Sequence, residues 1–159
     1  MQFEPTVQVL HDADVEFVIL GGVSAILHGS ARFTKDLDIC FSRSAANLRK
    51  LALALAPFHP RLRDLPETLP FVWDETTLRN GTVFTLKTDL GDIDLLAEVA
   101  GLGEFDAVKA RSVLVNVFDR NVSTLDLPAL IAAKKAAGRP KDLESLHELE
   151  SLLEAQQSE

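Results

Sequence analysis

The sequence predicts an α/β (α+β) domain, a mixed β-sheet flanked by helices with further helices at its C-terminal end. Three observations predict it. An apolar run, Phe17-Val18-Ile19-Leu20, stops abruptly at Gly21-Gly22, as a buried strand feeding a turn does. Segments of strand length at 36–41, 82–88, 92–96 and 113–118 follow, apolar or alternating. Segments rich in Ala and Leu lie between and after them. The 159 residues read as one domain, with a core over about residues 15–125 and C-terminal helices over about 126–155.

Taken in order, Pro5 to Ala13 can form a first helix, with Val7, Val9 and Leu10 on its apolar face. After the Phe17–Leu20 strand and the glycine turn, Val23 to His28 reads as a short helix closed by Gly29, with His28 as a cap. A polar connection, Ser30 to Lys35, leads to the strand Asp36–Phe41. Ala45 to Ala56 is a helix with Ser44 as N-cap, ended by Pro57. The stretch from His59 to Pro70 reads as a solvated surface loop, although its Arg61 and Arg63 could also face a nucleotide or RNA.

A short helix is expected within Phe71–Arg79. Thr82–Thr88, a turn at Asp89-Leu90-Gly91 and Asp92–Leu96 then make a hairpin. Glu104 to Ala110 is a helix, Val113 to Phe118 a strand turned at 119–121, and Val122 to Leu125 an extension of the sheet edge. Asp126 or Thr124 can cap a helix over Leu127–Ala137, with Pro128 in its first turn and a stop at Gly138. A last helix, Leu143 to Ala155, carries a stripe of Leu143, Leu146, Leu149, Leu152 and Leu153, and the tail beyond it frays.

Composition excludes several function classes. The net charge of −8 argues against a nucleic-acid-binding field over the whole surface, and no recognition-helix pattern points to DNA. No apolar run approaches membrane-spanning length, so no membrane partner is expected. The single cysteine, Cys40, cannot form an internal disulfide, and no Cys/His group has zinc spacing; a cytoplasmic setting is expected.

The chemistry concentrates in two strands. Asp36 and Asp38 alternate with Leu37 and Ile39, so at strand period they share a face, roughly 6.6 Å apart along the backbone. Two acids on one face of an apolar strand repel each other unless a cation sits between them. Hard divalent ions such as Mg²⁺ take oxygen ligands of this kind. Asp94, flanked by Ile93, Leu95 and Leu96, is the better candidate for a third ligand; Asp92 lies next to the turn.

Gly21-Gly22, thirteen residues and then Asp36-x-Asp38 between hydrophobic residues resembles the signature of the nucleotidyltransferase superfamily with the DNA polymerase β-like fold. The approach Arg32-x-Thr34-x-Asp36 is similar to that of small bacterial members, and Gly91-x-Ile93-Asp94 resembles the strand carrying the third carboxylate. Gly22 stands where many members have Ser, and Ser24 is the candidate to replace that phosphate contact. A second resemblance lies in Leu130–Leu143, which is similar to the C-terminal motif of nucleotidyltransferases related to abortive-infection type IV toxins. Its matching positions are Lys134, Arg139, Lys141 and Asp142.

The resemblance implies a nucleotidyltransferase core that moves a nucleoside monophosphate from a nucleoside triphosphate, such as ATP, to an acceptor hydroxyl with release of pyrophosphate. Mg²⁺ (or Mn²⁺) would be held by Asp36, Asp38 and Asp94, and these with Lys134 would be catalytic. Gly21, Gly22, Ser24, Arg32, Thr34 and Arg139 would contact the nucleotide. Implied acceptors are RNA, tRNA in particular, a protein hydroxyl or a small molecule such as an antibiotic, and toxin-like members suggest an antitoxin protein as partner. A nucleotide-binding protein of the same fold without turnover is the contrasting expectation.

Overall fold

The computed structural model describes residues 3–158. Its seven-stranded sheet is built on β1 (Phe17–Leu20) and β2 (Leu37–Phe41), an antiparallel pair linked through α2 (Gly21–Leu27). Both strands are apolar through nearly their whole length because both faces of the sheet centre are covered. On one side β2 pairs in parallel with β5 (Gly91–Leu96), whose hairpin partner is β4 (Val83–Thr88), and a two-residue strand β3 (Arg61–Leu62) closes that edge. On the other side β1 pairs in parallel with β9 (Arg120–Leu125), and its hairpin partner β8 (Ser112–Val117) forms the far edge. The strand order is therefore β3-β4-β5-β2-β1-β9-β8.

Alternation along β2 divides the core in two. Leu37, Ile39 and Phe41 point to the face covered by α1 (Glu4–Asp12), α3 (Ala45–Leu55) and α4 (Glu75–Arg79). Cys40 points to the other face, with Val18, Leu20 and Leu125, under α5 (Phe105–Ala110), α6 (Leu127–Ala137) and α7 (Pro140–Gln157). Asp38 shares the second face by the same alternation, and this places it beneath α6 and α7. A small hairpin, β6 (Glu98–Val99) with β7 (Gly103–Glu104), connects β5 to α5.

The local signals hold in detail at several points. Ser44 accepts from the Asn47 N–H at 3.2 Å and Asp126 from the Ala129 N–H at 2.7 Å, so both cap their helices as side chains of that type do. Gly29 closes α2 with φ +112, in the region only glycine enters freely.

Other boundaries move. The helix after β1 begins at Gly21 itself, and α7 begins at Pro140, where a missing N–H costs nothing. Leu143 sits on an outward face of α7, 53% exposed, while Leu149 is buried. His28 does more than end a helix: its Nε2 donates to the Leu125 carbonyl at 2.7 Å and ties α2 to β9. Part of the stretch that reads as a surface loop is β3, paired with Lys87 and Leu86 of β4. The 122–125 segment is not an edge: β9 lies inside the sheet, and the β8–β9 turn falls at Phe118-Asp119, both at positive φ as a two-residue hairpin requires.

Ser24 and Thr124 are fully buried where α2 crosses β9. The Thr124 hydroxyl lies 2.6 Å from Ser24 Oγ and 3.2 Å from the Ile19 carbonyl, so one hydroxyl serves two polar groups that no water reaches. Thr124→Val keeps the shape and leaves Ser24 unsatisfied, at a cost of about 1–3 kcal/mol. A thermal melt should show a Tm lower by several degrees for Thr124→Val and recovery in Thr124→Ser; an unchanged Tm in Thr124→Val contradicts the account.

Candidate functional site

A cavity of about 610 Å³ opens between the N-terminal end of β2, the loop leading into it, and α6 and α7. Asp36, Asp38 and Asp94 line it together with Gly21, Gly22, Arg32, Thr34, Lys134 and Arg139. Of the ten residues singled out from the sequence, Ser24 alone does not reach it.

The parallel register sets Asp38 directly beside Asp94, with Leu37 against Ile93 and Ile39 against Leu95. Both carboxylates therefore point to the α6–α7 face from neighbouring strands. Asp38 is the more enclosed, and its Oδ1 is buried with no hydrogen-bond partner. Burial first, then the neighbouring Asp94 carboxylate and the charge of Asp36, push the Asp38 carboxyl up to about 7, with Lys141 pulling the other way. Asp36 lies one residue ahead of β2, so it reaches the cavity from the loop rather than from the strand face predicted for it.

The two glycines have separate reasons. Gly21 has φ +58, and a Cβ there would run into Asp38 Oδ2. At Gly22 a Cβ would lie 2.7 Å from both Cβ and Oγ1 of Thr34, so the bare backbone lets the loop close down on α2. Thr34 itself reaches back to the Asp36 carbonyl at 3.4 Å.

Cations line the opposite wall. Asp142, 2% exposed, accepts from Arg139 Nε at 2.6 Å and stands 3.7 Å from Lys134 Nζ. Burial alone would raise its carboxyl, but the hydrogen bond and charge of Arg139 and the charge of Lys134 outweigh this and hold it below the ordinary range. Asp142 thus orients both cations at the cavity. Arg32 is fastened to α7, its guanidinium donating to the Glu144 carbonyl at 3.1 Å.

The sequence leaves Arg63 either in a solvated loop or facing a nucleotide, and the structure places it against the acids instead. It donates to Asp94 Oδ1 at 2.6 Å and to the Leu86 carbonyl at 3.0 Å, and lies 3.9 Å from Asp36 Oδ2. Burial works against its charge, but Asp94, Asp36 and Asp92 hold the guanidinium even higher than usual. Only the pairing of β3 with β4 brings it there, and no local pattern announces that pairing. Glu148 is a second residue without a sequence signal: it receives the Ser30 hydroxyl at 2.6 Å and the Ala31 N–H at 3.2 Å. Ser24 is the correction in the other sense, since its hydroxyl is spent on Thr124 in the core.

The donor set suits a hard divalent cation, because every candidate ligand is a carboxylate oxygen and one of them is buried without a partner. Asp38 and Asp94 form the core of such a site. Among the described residues no three acidic, His or Cys side chains already converge at metal-holding distance; Asp36 stands off, with Arg63 between it and Asp94.

The arrangement of sheet, cavity and flanking helices is the nucleotidyltransferase fold. The structure of the lincosamide antibiotic adenylyltransferase LnuA with lincomycin bound superposes over 95% of this chain and 96% of its own, with TM-score 0.62 and 15% identity. A Thermotoga maritima protein, TM1012, provisionally described as a nucleotidyltransferase, covers 92% of this chain and 91% of its own, with TM-score 0.58 and 15% identity. No protein-family model and no curated protein matches the sequence. At this identity the likeness is one of fold.

The raised Asp38 carboxyl has a sign that can be measured. Between an unfolded value near 4 and a folded value near 7 the folded state holds the extra proton. Its contribution is therefore fully present below about pH 4 and is lost as pH rises through about 7. Asp38→Asn removes the charged form, so in EDTA its Tm should exceed that of the unaltered protein at pH 8 by roughly 4–8 °C, on the order of 2 kcal/mol. The difference should vanish near pH 4; a gain independent of pH contradicts the account.

Proposed function

We propose that the protein transfers a nucleoside monophosphate from a nucleoside triphosphate to the hydroxyl of an acceptor, releasing pyrophosphate. The observation that carries this reading is the Asp38–Asp94 pair, set side by side by the β2–β5 register, with a buried and unpartnered Asp38 oxygen at the wall of a sizeable cavity. Two acids held together in this way destabilise the fold unless they serve a cation, and Mg²⁺ or Mn²⁺ is the cation their oxygens suit.

Asp38 and Asp94, joined by Asp36, would hold the ion. When bound it would neutralise triphosphate oxygens and favour ionisation of the attacking hydroxyl. Gly21 and Gly22 leave the backbone bare for the phosphates to approach. Lys134 and Arg139, oriented by Asp142, face the same cavity and offset negative charge that builds on the transferring phosphoryl group. Arg32 and Thr34 border the phosphate path from the loop. Arg63, paired with Asp94 and near Asp36, offsets the charge of these two acids from the other side.

We read the acceptor as a small hydroxyl-bearing molecule. The acidic balance of −8 offers no broad platform for RNA, and the cavity is of a size that takes a compact ligand. The likeness to a lincosamide adenylyltransferase over nearly the full length of both chains supports the same choice. An RNA end or a protein hydroxyl, with an antitoxin as partner, is the toxin-like version of this reaction.

The test supplies triphosphates labelled at the α-phosphate, with Mg²⁺, to separate pools of small hydroxyl-bearing compounds, total RNA and protein extract. Label should pass to the small-molecule pool and fall on the order of a thousandfold in Asp38→Asn and in Asp94→Asn. Label on RNA or protein instead keeps the transfer and overturns the acceptor. Mg²⁺-dependent nucleotide binding without transfer to any pool moves the reading to a binding protein of the same fold, and absence of binding overturns it.

A further inference from the structure

The loop between α2 and β2 is held at several points along its length. Ser30 and Ala31 both donate to Glu148 of α7, and the Arg32 guanidinium donates to the Glu144 carbonyl. Thr34 packs onto Gly22 so closely that no side chain fits between them. A loop fastened this way on both sides of Phe33 presents that side chain in a defined place. Phe33 is 78% exposed, yet it lines the same cavity as Asp38, Asp94 and Gly21.

A scattered apolar residue on a surface is ordinary. An aromatic ring left open on a pinned loop, next in sequence to Thr34 at the glycine turn, is a different matter. Among the described residues it is the one aromatic side chain lining the cavity, and no Asn or Gln lines it with the paired donors and acceptors that read base edges. An aromatic face engages a planar ring by stacking, which is tolerant of the ring's identity.

We infer that Phe33 is the stacking platform for the nucleobase of the bound nucleoside triphosphate, holding the base by its face at the cavity rim while the phosphates lie at Gly21 and Gly22. The inference rests on the proposed nucleotidyl transfer and adds to it the site of the base. It makes the protein broadly accepting among bases, with purines held more tightly because they offer a larger face.

The experiment is calorimetric titration of the full chain in Mg²⁺ with ATP and, separately, with inorganic tripolyphosphate, which has the phosphates and no base. The unaltered protein should bind ATP more tightly than tripolyphosphate. Phe33→Ala should weaken ATP by about tenfold and leave tripolyphosphate within about twofold, and Phe33→Trp should restore ATP binding. Unchanged ATP affinity in Phe33→Ala overturns the inference, as does equal weakening of both ligands, which would make Phe33 a support of the loop. Equal affinity of the unaltered protein for the two ligands overturns it too, while leaving nucleotidyl transfer standing. Binding of neither ligand overturns the transfer reading and this inference with it.

Discussion

Two carboxylates in register on adjacent parallel strands repel each other, and the sheet that carries Asp38 and Asp94 gives them no way to separate. Ile39 and Leu95 are wholly buried beside them, and Leu37 and Ile93 nearly so, which locks the register. The surrounding structure can be understood as a response to that repulsion. The Asp38 carboxyl is pushed toward its neutral form, Arg63, next after the edge strand β3, is drawn onto Asp94, and Lys141 approaches from the start of α7. Gly21 gives up its side chain so that the Asp38 carboxylate has room at all.

The final two helices complete the site in a second way. Asp142 is buried at the first turn of α7, on the cavity wall, and holds Lys134 and Arg139 beside it, so one anion places two cations at the cavity. Further along the same helix, Glu144 and Glu148 hold the loop that delivers Asp36 and exposes Phe33. One helix thus sets the geometry of both the basic wall and the aromatic rim. Its packing through Leu149 into the core beneath α6 makes that arrangement rigid.

Much of the site was legible because its residues break local patterns. Asp38 and Asp94 are acids inside apolar strands, and Gly21-Gly22 interrupts an apolar run; each is visible without knowing the fold. Ser44 and Gly29 were equally readable, since capping depends on residues a few positions apart, while the choice of Asp126 over Thr124 as the cap of α6 came with the structure. Arg63 and Glu148 were not readable. Arg63 sits in a proline-rich stretch typical of surface loops, and its partner lies thirty-one residues on. Glu148 is one acid among several on a helix face, distinguished only by a loop more than a hundred residues earlier in the chain. Ser24 failed for the opposite reason: its position beside the glycine turn suggested a phosphate contact, but α2 rotates it onto Thr124.

The sequence by itself determined the alternating α/β class, the strands that carry the acids, the glycine turn and most helix caps. These follow from side-chain periodicity and from backbone preferences that act within a few residues. Tertiary structure alone decided that β9 enters the sheet beside β1, that β3 carries Arg63 to Asp94, and that α7 fastens the loop bearing Phe33. Those choices depend on which distant surfaces bury each other and which charges must be neutralised once water is gone, and neither quantity exists until the chain has closed on itself.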